Sequence, residues 1–270
     1  MRRWSLRPAA ARALRRAALA AVFLGGASTA RAQPIDSLRT VLERSIVRGD
    51  MAALDSVIAR LRDEARETPE NVTVQYDLGY ALHRRAGAIT EAGRDGKAQP
   101  LLEEAERALA RAVSLGGGGS ALALRGTVTG QLAQVSGAFR AMRLGPRAFK
   151  QLDEAKELAP DDPRIALLNG MVRLRAPRAF GGGTERAERE FRRAVLLFES
   201  DGARSPAPTW GRVDAHIWLG IALAKLGRRD EARAEYAKAL AMAPGHAWVT
   251  TTLLPKVAER AGERDSVDRR

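Results

Sequence analysis

The chain has 270 residues, 45% hydrophobic but only 5% aromatic, with 25 glycines, no cysteine and a formal net charge of +13. The missing cysteine excludes disulfides and thiolate metal sites, and the low aromatic content points to helices packed through Ala and Leu. Basicity of this size would suggest a nucleic-acid partner, but residues 1–32 hold seven arginines and no acid, leaving 38 basic against 32 acidic groups beyond them, so none is expected.

At the amino terminus Arg2, Arg3, Arg7, Arg12, Arg15 and Arg16 precede an apolar run from Ala17 to Ala27, and Ala30-Arg31-Ala32 forms an A-x-A site. This is the layout of a cleavable signal peptide over residues 1–32. The run falls short of the roughly 20 apolar residues needed to span a bilayer, and no cysteine follows that could accept a lipid. A periplasmic or secreted protein without a stable membrane anchor is expected.

Residues 33–70 read as a helix pair or cap around Gly49-Asp50, with Leu38, Leu42 and Ile46 facing Leu54, Ile58 and Leu61 and Pro69 closing it. The next unit, about 71–117, carries Leu78 and Gly79 in its first helix and Ala105, Leu109 and Ala112 in its second. The polar stretch Ala86 to Ala98 between them predicts an enlarged turn. Gly116 to Gly119 predicts a break, and Ser120 an N-cap. In the unit 120–160 the small residues Gly126, Gly130 and Gly137 predict one long helix reaching Leu144, with Gly145-Pro146 turning the chain into its partner. Residues 162–200 repeat the pattern with Gly170, Ala187, Phe191 and Ala194 around a long turn, and 211–244 repeat it most clearly with Leu219, Gly220, Ala232, Tyr236, Ala239 and Pro244. Trp248, Leu253 and Val257 predict a capping helix that ends the unit at 261, before a charged tail, 262–270.

Leu219-Gly220, Ala232, Tyr236, Ala239 and Pro244 stand at the spacing of the tetratricopeptide repeat, which the chain therefore resembles. The resemblance implies an all-α, right-handed α-solenoid of antiparallel helix pairs, each burying its core against the next. Pro177-Arg-Ala-Phe180-Gly181-Gly182 is similar to a turn in a group of exported bacterial tetratricopeptide proteins, a likeness that implies architecture and no chemistry.

No catalytic constellation is present. Gly181-Gly182-Gly183-Thr184 precedes a helix but lacks the Lys-Ser/Thr ending of a phosphate loop. His83, His216 and His246 are the only histidines, and none stands in a ligand-pair spacing. No enzyme activity, metal or cofactor is expected. Binding remains. Because the first helix of each repeat lines the concave face, the inward register selects Tyr76, Tyr80, His83 and Arg84, then Thr127 and Gln131, then Leu167, Met171 and Arg175, and last Ile217, Ile221 and Lys225. The expected occupant is a protein or peptide of the cell envelope, with self-association left open. The alternative is a small apolar molecule held by an accessory component of a periplasmic uptake system, which requires an enclosed pocket in place of an open channel.

Overall fold

The computed structural model describes residues 35–200 and 210–258. The expected signal peptide, most of the loop before residue 211 and the charged tail lie outside them.

Ten α-helices pair into five hairpins: α1 (Ile35–Arg48) with α2 (Met51–Glu67), α3 (Val72–Glu91) with α4 (Asp95–Ser114), α5 (Gly118–Val135) with α6 (Ala138–Leu158), α7 (Pro163–Arg175) with α8 (Thr184–Ser200), and α9 (Arg212–Lys225) with α10 (Arg229–Met242). An eleventh helix, residues 247–258, contains a π turn at Val249–Leu253. Each odd-numbered helix also packs on the next odd-numbered one, so these five form the inner layer of the solenoid. That position explains their composition: α5, α7 and α9 are buried on nearly every side, whereas the even-numbered helices bury one stripe.

Local chemistry sets the starts. Asp50, Asn71 and Asp162 each accept hydrogen bonds from backbone N–H groups of the first turn they precede. Between α9 and α10 the chain turns at Gly227 with φ 81°, a conformation that a side chain would strain. The signature glycines set the spacing within pairs. A Cβ added at Gly79, Gly170 or Gly220 would lie 2.4 Å, 2.5 Å and 2.4 Å from Leu109, Phe191 and Tyr236 respectively, so each large side chain seats against bare helix backbone.

Three turns differ from their sequence-based positions. The enlarged turn expected at Ala86 to Ala98 is almost wholly helical, with only residues 92–94 between α3 and α4. Ala86, Ile89 and Ala98 are buried, and this packing overrides the loop-like composition around them. The long helix expected to reach Leu144 ends at Val135, and Gly145-Pro146 lies inside α6 instead of starting it. The first half of α6 is tied to α4 by Arg140 to Glu103 at 2.8 Å and Arg147 to Glu106 at 2.8 Å, which keeps it helical across the proline. Ser120 is not an N-cap. Gly117 precedes α5, and the Ser120 hydroxyl donates to Asp162 of the next repeat.

Residues 35–258 close on themselves. The start of the eleventh helix reaches the α1–α2 turn, where a Cβ on Gly49 would lie 3.1 Å from that of Ala247. Arg84 on α3 bonds Asp214 on α9 at 2.8 Å, across 130 residues of sequence.

Candidate binding pocket

The inner face is divided by this closure. On one side, Tyr80 stacks on Trp210 with centroids 4.6 Å apart, Arg84 lies over the Tyr80 ring, and its guanidinium pairs with Asp214. Burial alone would favour a neutral Arg84, but Asp214, Tyr80 and Glu43 outweigh it and hold the guanidinium charged. Burial pushes the Tyr80 hydroxyl well above its ordinary range and the half-buried Glu43 carboxyl up to about 7. This cluster joins α3 to the start of α9.

On the other side the same closure bounds two adjoining cavities. The inner one, about 240 Å³, has Ile46, Met51, Leu54, Met171, Trp218 and Trp248 as apolar walls, with His83, Arg84, Gln131 and His246 as polar groups. The outer one, about 290 Å³, shares Glu91, Arg175, Trp218 and Trp248 with it and adds Ile221, Lys225, Arg229 and Lys256 at its rim. Trp218 and Trp248 meet edge to face at 5.6 Å, and the Arg175 guanidinium sits 4.6 Å from the Trp218 ring centre. Arg175 is only loosely neutralised. Its nearest carboxylate, Glu91, is 3.9 Å away, and burial lowers its pKa. A half-buried cation so loosely matched, over the Trp218 indole, is suited to an anionic group on an apolar ligand.

His83 is fixed in orientation. Its Nδ1–H donates to the Gln131 Oε1 at 2.6 Å, which leaves the Nε2 lone pair for the cavity. Burial is the main cause that lowers its pKa to about 4, so the ring is neutral at neutral pH. His246 is also buried, and its Nδ1 has no hydrogen-bond partner. His216 lies elsewhere, bonded through Nδ1 to Glu235 at 2.6 Å between α9 and α10.

The inward residues selected from the sequence therefore divide. His83, Arg84, Gln131, Met171 and Arg175 come together around the inner cavity, and Ile221 and Lys225 line the outer one. Tyr76 and Tyr80 are buried on the filled side, while Thr127, Leu167 and Ile217 are wholly buried between repeats. The register did not select Ile46, Met51, Leu54, Trp218, His246 and Trp248. Most come from the two ends of the chain, where no repeat spacing relates them. Trp218 alone had a local signal, as the aromatic closest to the position where the repeat has one near its start.

Among the described residues no helix is long and apolar enough to cross a membrane, and no group of three or more His, Cys, Asp or Glu could hold a metal ion. A tetratricopeptide repeat family model matches residues 213–246. Among solved structures, the HusA haemophore from Porphyromonas gingivalis is 27% identical, with 74% of this chain and 96% of that one covered and a TM-score of 0.58. A thermophilic tetratricopeptide protein from Thermus thermophilus is 17% identical over 84% of this chain and 98% of that one, with a TM-score of 0.57. No curated protein matches in sequence. The repeat match at 213–246 and the stacked helix pairs from residue 35 onward give this chain the fold of a tetratricopeptide-type helical solenoid.

Proposed function

We propose that this is an exported, non-catalytic carrier that binds a small, flat, apolar molecule bearing acidic groups in the paired cavities beside α3, α7 and α9. The observation that carries this reading is the closure of the inner face by Arg84 and Asp214, which leaves a bounded pocket with indole and aliphatic walls and the cations Arg175, Lys225 and Lys256 around its outer part. A few polar groups converging on an apolar hollow are the usual features of a small-molecule site. The similarity to a haemophore at 27% identity favours a tetrapyrrole over other flat acids. Export rests on the signal-peptide pattern of residues 1–32, and such a carrier fits the accessory component of an uptake system.

A protein partner in the cell envelope is the second reading, and it has its own observation. Phe139 and Met142 on the outer helix α6 are 79% and 71% exposed, with Arg140 and Arg143 beside them, so a partner of the carrier need not enter the pocket.

Titration with iron-free protoporphyrin, followed by quenching of tryptophan fluorescence, tests the pocket. One equivalent should bind, and native mass spectrometry should show the 1:1 complex. No binding, together with capture of a single envelope protein by a photoreactive residue at Met171, would return the inner face to a peptide.

A further inference from the structure

His83 and His246 are far apart in sequence and reach one cavity from different elements, α3 and the segment just before the eleventh helix. Their environments are not those of ordinary core histidines. A core imidazole normally has both nitrogens accounted for. Here Gln131 takes only the Nδ1 side of His83, and the Nδ1 of His246 has no partner although the residue is 3% exposed. A side-chain acceptor on the remote nitrogen, as Gln131 provides, is the arrangement that orients a metal-ligating imidazole and raises its basicity.

Two imidazoles are too few to hold a bare metal ion, which takes three or four protein ligands. They are enough for a metal that arrives with its equatorial positions already filled. An iron tetrapyrrole is the main biological ligand of that kind, and it asks of the protein only axial donors and an apolar enclosure. The rest of the pocket meets the second condition. Trp218, Trp248 and Met171 can cover the faces and edge of a macrocycle, and Arg175, with Lys225 and Lys256 farther out, stands where its acid substituents would emerge.

We propose that His83, through Nε2, and His246 supply the two axial nitrogen ligands to the iron of a bound tetrapyrrole. The inference rests on the pocket reading above and adds the metal to it. His83 is positioned by Gln131, and His246 reaches the same cavity from the segment before the eleventh helix. Coordination comes on top of the apolar and ionic contacts, so the protein should prefer ferric haem to iron-free protoporphyrin by at least about tenfold, a difference of ~1.4 kcal/mol.

The test compares ferric haem and iron-free protoporphyrin on the wild-type chain and on His83→Gln and His246→Gln, near-neutral changes in volume whose folding is checked by circular dichroism without ligand. The wild-type haem complex should have the absorption and electron paramagnetic resonance spectrum of six-coordinate low-spin iron. Each variant should lose that spectrum and the preference for haem over protoporphyrin. Added imidazole should restore the low-spin spectrum in the variants. A haem spectrum unmoved in either variant, with protoporphyrin still bound, overturns the ligation and leaves the pocket reading standing. If neither macrocycle binds the folded wild-type chain, the pocket reading itself fails.

Discussion

Glu43 shows how closure loads single residues. Its carboxyl lies among Arg84, Asp214, Asp77 and the Tyr80 hydroxyl, and its Oε1 is buried without a partner. Burial raises its pKa from 4.5 to about 7, against the attraction of Arg84. The folded chain therefore keeps a proton at this site between pH 4.5 and 7 that the unfolded chain has released, so its stability falls as pH rises through that window. Glu43→Gln removes this dependence. Relative to wild type the variant should be more stable at pH 8 by about 1–3 kcal/mol and show little or no such gain at pH 4.5. Urea unfolding at the two pH values measures it, and an equal difference at both would mean that Glu43 does not titrate with folding. No residue pattern marks this site in the sequence, because Glu43 sits on a helix whose spacing allows a solvated face.

At the scale of the helix pair the sequence was most legible. Gly79 with Leu109, Gly170 with Phe191 and Gly220 with Tyr236 stand at different separations in the three repeats, yet each pair is a contact across its own hairpin. Turn positions were less legible because composition and packing disagreed there. Ala86 and Ala98 bury what their polar neighbours suggest is a loop, and α6 tolerates Pro146 with Arg140 and Arg147 tied to α4. The glycine contact gives a direct prediction. In Gly220→Ala the new Cβ falls 2.4 Å from the Tyr236 ring, inside any real contact distance, so helix α9 must move away from α10. The overpacking should cost about 1–3 kcal/mol, partly offset by the up to ~1 kcal/mol that Ala gains over Gly in a helix. A lowered melting temperature is expected, with partial recovery in Gly220→Ala/Tyr236→Leu. If the single variant melts at the wild-type temperature, the glycine does not set the spacing of this pair.

At the scale of residues 35–258, closure is the property that no local reading could supply. The repeat register placed Arg84 and Lys225 on the same inner face, but it could not say that α3 and α9 approach closely enough for Arg84 to pair with Asp214. Nor could it bring Ile46 and Trp248 to one cavity. The ion pair is one contact that holds this closure; the Tyr80–Trp210 stack and the packing of Ala247 against Gly49 are the others. Arg84→Met separates them. The substitution leaves Asp214 largely buried and unpaired, a penalty of about 3–5 kcal/mol for fully buried pairs and less for this one, which retains some exposure. If the pair maintains closure, amide exchange should accelerate in residues 45–52 and 246–258, and bound protoporphyrin should dissociate faster. Arg84→Met/Asp214→Leu, which removes both charges and leaves no orphan, should restore slow exchange, because an apolar pair of similar volume can replace a buried ion pair at little net cost. Exchange left unchanged by Arg84→Met would assign closure to packing, that of Ala247 on Gly49 and of Tyr80 on Trp210. The inner face would then be held shut by apolar packing, with the charges only tuning what the pocket accepts.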